Sequence, residues 1–174
     1  MALRPVLQFP DKRLREVSQP IAAVDDAIRE LARDMCDVMY DEPGIGLAAP
    51  QVGEQMRLIV VDTEWTEEGA EPNPLILVNP VITESNGTLQ WTEGCLSVPD
   101  FEAEVERAER VHLEAEDLDG NAVEIEAEGL QAVCFQHEID HLDGILYIDH
   151  ISRLKRNRYA EKRKKQLRRE LEED

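Results

Sequence analysis

VHLEAEDLDGNAVEIEAEGLQAVCFQHEIDHL, residues 111–142, is the stretch that decides the fold. Val111, Leu113 and Ala115 alternate with His112, Glu114 and Glu116. Beyond Asp119-Gly120, Val123, Ile125 and Ala127 alternate with Glu124, Glu126 and Glu128. A period of two on both sides of an Asp-Gly pair predicts a β-hairpin with one apolar face and one wet, acidic face. His112 falls on the wet face and reads as an exposed surface residue. At Gly129 the period changes. A helix is expected from there to about Leu142, with Leu130, Val133 and Cys134 in its buried stripe and Asp143-Gly144 as its stop. The expected fold class is therefore α+β, with antiparallel β-strands surrounding a central helix.

Upstream, residues 25–40 place Ile28, Leu31, Met35, Val38 and Met39 on one helical face. Asp25 or Asp26 is available to cap the start, and Pro43-Gly44 stops the run. Residues 57–62 and 75–78 are apolar runs of strand length, the second ending before Asn79-Pro80. Residues 69–74 read as the loop between them. A strand-like run at 145–148 precedes His150, which reads as structural, and a last helix is expected from about 152 to 171. No repeat or low-complexity linker divides the 174 residues. One domain is expected, residues 1–151 as its body and 152–174 as a basic C-terminal helical extension.

The 42% hydrophobic and 33% charged composition fits a globular protein, and no apolar run approaches the ~18–20 residues of a membrane span. The start, MALRPVLQ, lacks the long apolar stretch of a secretory signal, so a cytoplasmic protein with no membrane partner is expected. Three cysteines, an odd number without framework spacing, point to free thiols or metal ligands rather than disulfides. The net charge of −19 is unevenly spread: residues 151–174 carry ten basic against five acidic side chains (+5), and the rest nine against 33 (−24). Such an acidic body argues against DNA as a partner.

Within the central helix, residues 137–141 read His-Glu-Ile-Asp-His. Histidines at i and i+4 stack one turn apart on one face, where both imidazoles can reach a single ion. The intervening Glu138 projects elsewhere, and can approach a water activated by that ion without being a ligand. Two histidines leave such a site incomplete, since a catalytic ion usually takes three protein ligands. Cys95, Cys134, Cys36, His150 and several acids are candidates for the third. Cys134 and Cys36 read as core residues. Cys95 stands out for its setting in EGCLSVP (93–99), where a glycine permits close backbone approach and Pro99 is expected to break the chain. On residue chemistry alone Cys95 and a carboxylate remain equal candidates. The segment GIGLAAPQ (44–51) has small residues against which a ligand can lie, although a helix stop followed by a buried strand explains it equally well.

GIGLAAPQ at 44–51, EGCLS at 93–97 and QHEIDH at 136–141 together resemble the peptide deformylase family in order and spacing, over nearly the whole chain. The resemblance implies an enzyme of protein biosynthesis. Such an enzyme hydrolyses the formyl group from the N-terminal formyl-methionine of nascent chains and releases formate. It implies Cys95, His137 and His141 as metal ligands, Glu138 as general base and acid, and Gln51 with the backbone N–H of Leu96 as oxyanion donors. Ile45 and Gly46 would then be the edge along which the substrate lies. Leu130, Val133 and Cys134, with Glu93 and Trp91 nearby, would border the methionine pocket. Arg107 and Asp140 would form an ion pair that orients the metal-bearing helix. The implied ion is Fe2+, with Zn2+, Ni2+ or Co2+ also suited to one thiolate and two imidazoles. The C-terminal helix would dock on the ribosome. One departure stands out: Glu102 occupies the approximate place of a basic or aromatic residue of the family's cleft. Two other readings of the same residues are a metallopeptidase of another H-E-x-x-H lineage and a ribosome-associated factor with a structural metal.

Overall fold

The computed structural model describes residues 3–174; residues 1 and 2, which begin the segment read as free of a leader, lie outside the described residues. Helix α1 (Asp26–Asp41) starts where Asp25 accepts a hydrogen bond from the Ile28 N–H at 2.9 Å. It buries Ile28, Leu31, Met35, Val38 and Met39, the stripe expected from its periodicity, together with Ala32 and Cys36. Five strands then form one antiparallel sheet: β1 (Gly46–Ala48), β2 (Leu58–Val61), β3 (Leu75–Asn86), β6 (Arg110–Glu116) and β7 (Ala122–Glu128), adjacent in that order. Strands β4 (Leu89–Cys95) and β5 (Val98–Arg107) pair separately as a second, two-stranded sheet.

Strand β2 explains why its sequence does not alternate. Leu58 and Val60 pack toward α1, whereas Ile59 and Val61 join Ala132, Cys134 and Phe135 on the opposite face. Both faces are covered, so all four residues are buried. The second cover is helix α2 (Gly129–Leu142), which leaves β7 directly and lies against the sheet. Its expected stripe was too narrow. Ala132, Val133, Cys134, Phe135, Glu138, His141 and Leu142 are all buried, while Leu130 is partly covered. Gln136 clamps the turn between β5 and β6 by bonding both backbone groups of Ala108.

The hairpin of β6 and β7 forms as expected, with Gly120 at φ +82° in its turn. His112 faces outward but is only partly exposed, because Glu126 across the pair hydrogen-bonds its ring. Other expectations are corrected. Asn79-Pro80 does not end its strand: Asn79 adopts φ +51° and the register shifts between Val78 and Val81, so β3 continues past the irregularity to Asn86. Pro99 does not break the chain either, but lies within β5. The run at 145–148 is not a strand; Tyr147–His150 form a 3-10 turn that packs on β4 and β5.

The basic C-terminal segment folds as helix α3 (Arg153–Glu173), capped by Ser152. It is more than a solvated rod. Tyr159 is buried with Phe9 and Phe101 and donates to the Pro99 carbonyl at 3.0 Å. Arg163, 6% exposed, donates to the Phe9 carbonyl and the Gln8 side chain. Replacing Tyr159 by Ala removes that ring and hydrogen bond, at a cost of about 3 kcal/mol. The expected outcome is faster tryptic cleavage at Lys162–Arg169 by limited proteolysis, ahead of global unfolding.

Candidate active site

The site forms where α2, the end of β4 and the segment after β1 meet. One turn of α2 separates His137 from His141, and their Nε2 atoms lie 3.3 Å apart. Cys95 closes β4 at a tight reversal in which it pairs with Val98, and its Sγ comes within 3.4 Å of His141 Nε2. The facing atoms of Cys95, His137 and His141 all lie within 4.8 Å of one another. Tetrahedral coordination, with imidazole nitrogens about 2.0 Å and a thiolate about 2.3 Å from an ion, requires edges of roughly 3.3–3.6 Å. The His137–His141 and Cys95–His141 spacings match, and the third edge stays within 4.8 Å, close enough for the three side chains to hold one divalent cation.

Glu138 stands beside this triangle. It is 3% exposed, with Oε1 3.8 Å from His137 Nε2 and Oε2 without a hydrogen-bond partner among the described residues. Burial pushes its carboxyl up to about 7, against the opposing effect of His137. Gly46 of β1 explains how it is enclosed. A Cβ there would meet Cys134 Sγ at 2.8 Å and Glu138 Cγ and Cδ at 3.0 Å, so the backbone itself walls the carboxylate. Cys134 fastens this contact by donating to the Ile45 carbonyl at 3.6 Å.

An ionic chain, buried at Glu93 and Arg107, runs behind the histidines. Glu93 accepts two bonds from the Arg107 guanidinium, at 2.7 and 2.8 Å, and its Oε1 lies 2.8 Å from His137 Nδ1. Arg107 also donates to Asp140 at 2.7 Å, and Asp140 in turn meets His150 Nε2 at 2.8 Å. Burial alone would raise the Glu93 carboxyl, but bonds from Arg107 and His137 outweigh it and hold the group at about 2. Burial and neighbouring His137 lower the pKa of His141, favouring the neutral form that binds metals. Burial lowers that of His137 as well, but Cys95, Glu93 and Glu138 more than reverse it; the same negative surroundings attract a cation.

Gln51, 1% exposed, sits in the 3-10 turn after β1. Its carbonyl accepts from the Ala48 N–H at 2.9 Å, which aims its amide N–H groups at Ser97 Oγ, 3.0 Å away, and Cys95 Sγ, 3.6 Å away. A cavity of about 760 Å³ opens over these groups, walled by Ile45, Gly46, Gln51, Glu93, Cys95, Leu96, Leu130, Val133, Cys134, His137 and Glu138. His141 and Arg107 are buried outside its lining, and Asp140, partly exposed, lies beyond Arg107. Trp91, Asp100, Phe101 and Glu102 form its outer part. Every site residue named from the sequence thus belongs to this region. Ser97 and His150 had no assigned part in it: Ser97 lies inside the EGCLS motif, and His150 meets Asp140 only through the fold.

The polypeptide deformylase family model matches residues 3–157. A peptide deformylase from Alkalilimnicola ehrlichii is 54% identical over 97% of this chain and 93% of its own length. The crystal structure of a peptide deformylase from Legionella pneumophila superposes with a TM-score of 0.88 at 43% identity, covering 98% of each chain. That of the Ehrlichia chaffeensis peptide deformylase in complex with actinonin gives 0.89 at 38% identity, over 95% of this chain and 98% of that one. With fold and sequence matching from end to end, the chain belongs to the polypeptide deformylase family of metal-dependent hydrolases.

Proposed function

We propose that the chain hydrolyses the formyl group from formyl-methionyl nascent peptides in the cytoplasm, with Cys95, His137 and His141 holding one divalent cation. What supports this reading above all is a triangle of one cysteine sulfur and two imidazoles close enough to share an ion, with the buried Glu138 carboxylate beside it in the cavity wall. When bound, the cation supplies a Lewis acid that brings the pKa of water toward neutrality. Ferrous iron is the metal the family resemblance favours, and zinc, nickel and cobalt suit the same donors.

The protein's own groups supply the rest. Glu138 takes a proton from the attacking water and returns it to the departing peptide nitrogen. Gln51, its carbonyl tied to the Ala48 N–H, turns a neutral N–H toward the developing oxyanion, with the Leu96 N–H as second donor. Such donors are worth about 3–4 kcal/mol each. Among the described residues strand β1 pairs only with β2, so its other edge, at Ile45 and Gly46, can receive the peptide as an added strand. Leu130, Val133, Cys134 and Trp91 border the space for the methionine side chain. Glu93 shares that wall, but its oxygens are engaged by Arg107 and His137, so we assign it the orientation of the His137 ring. Residues 1–151 form the catalytic body. The cationic far end of α3, including Lys164, Lys165, Arg168 and Arg169, is proposed to dock on ribosomal RNA.

Cys95→Ser is expected to lose the metal by elemental analysis after anaerobic purification. Glu138→Gln should keep it and lose about 10²- to 10⁴-fold in kcat for formate release; retained turnover would overturn the assignment. Asp140→Asn breaks the chain behind His137 and should weaken metal retention about 10- to 100-fold in a chelator competition. Cosedimentation with ribosomes should fall as salt rises and disappear when residues 152–174 are removed; salt-insensitive or tail-independent binding excludes docking through α3.

A further inference from the structure

The cavity over the site does not end at its rim. A second cavity of about 610 Å³ shares Thr92, Phe101 and Glu102 with it and runs between β5 and α3. Phe101 and buried Tyr159 line it, with Glu102 and Glu104 on the β5 side and Lys155, Arg158 and Lys162 along α3. The three cations are exposed, recur at i, i+3 and i+7 on one face of α3, and form no ion pair among the described residues. They extend over about 10 Å of helix, the length of about three residues of extended peptide.

The first cavity carries no such cations. No lysine or arginine lines it among the described residues, and two of its carboxylates, Glu93 and Glu138, are buried and committed to the site. Asp100 and Glu102 are its exposed charges, and neither forms an ion pair among the described residues. Glu102 stands at the junction between the cavities. A chain leaving the catalytic groups along this path therefore meets carboxylates alone first, and then a stretch where three cations of α3 outnumber Glu102 and Glu104 of β5.

We propose that this path is an extended, charge-ordered substrate subsite: Glu102 favours a basic residue close behind the formyl-methionine, and the Lys155–Arg158–Lys162 row favours acidic residues several positions further on. The proposal rests on the deformylase reading of the site and adds to it a choice among nascent chains. Because these charges are exposed, each preference should be modest, about two- to fivefold in kcat/KM.

Formate release by the metal-loaded enzyme from formyl-Met-Ala-Ser gives the reference. Peptides with Lys or Glu at the second or third position then test Glu102, and nine-residue peptides with three Asp or three Lys at positions five to seven test α3. Lys should exceed Glu near the methionine, and the Asp run should exceed the Lys run further out. Both differences should shrink when salt is raised from about 0.05 to 0.5 M. Glu102→Arg should invert the first ratio and Arg158→Glu with Lys162→Glu the second, each ratio being taken within one variant. Equal kcat/KM for all peptides, or preferences unaltered by salt and by these variants, overturns the subsite. Absence of formate even from formyl-Met-Ala-Ser would instead overturn the deformylase reading.

Discussion

Arg107 is the side chain around which the site is assembled. Its guanidinium, 4% exposed, reaches Glu93 on β4 and Asp140 on α2 while its backbone belongs to β5. Through Glu93 it bears on His137, and through Asp140 on His150 in the turn after α2. The β4–β5 hairpin and helix α2 are thus tied by one planar cation. Burying such groups is expensive, and removing one partner from a buried pair typically costs about 3–5 kcal/mol. That penalty gives the network its directional strength: only one mutual arrangement of hairpin and helix leaves none of these charges stranded. The two-stranded sheet bonds to no strand of the larger one, so this arrangement also holds Cys95 opposite the histidines.

Local signals in the sequence were readable and non-local ones were not. Helix α1, the β6–β7 hairpin and the paired histidines depend on spacings of two to four residues, and their periods stand out in the primary structure. Strands β4 and β5 were missed, although Phe101, Ala103 and Val105 alternate with Glu102, Glu104 and Glu106 in the manner of a strand. The glycine and proline of residues 93–99 suggest an irregular loop instead. Glu93 reads as a wall of the substrate pocket because nothing local links it to Arg107, fourteen residues away, or to His137 on another element. Tyr159 and Arg163 were hidden for the same reason. A lone aromatic and a lone arginine in a basic helix look solvent-bound until Phe9 and Gln8 are seen beneath them.

The fold also explains how an acidic protein accommodates a cationic helix. The contacts that secure α3 are an aromatic cluster and hydrogen bonds to backbone and amide oxygens, rather than pairing of its exposed cations with the body. Most of its positive charge stays outward. Charge separation between body and tail is therefore built into the tertiary structure and is more than a bias of composition.

The bare backbone at Gly46 has a consequence for divergence. With Cys134 Sγ and Glu138 pressed against the place of its missing Cβ, the floor of the cleft offers almost no freedom to vary: an added methyl there displaces the Glu138 carboxylate or opens the helix from the sheet. The rim differs, since Trp91, Asp100 and Glu102 are exposed and can change without disturbing the packing below. A lineage built on this scaffold can retune which chains it accepts while its chemistry stays fixed. Mutational escape from a compound wedged into the cleft would have to arise at that rim.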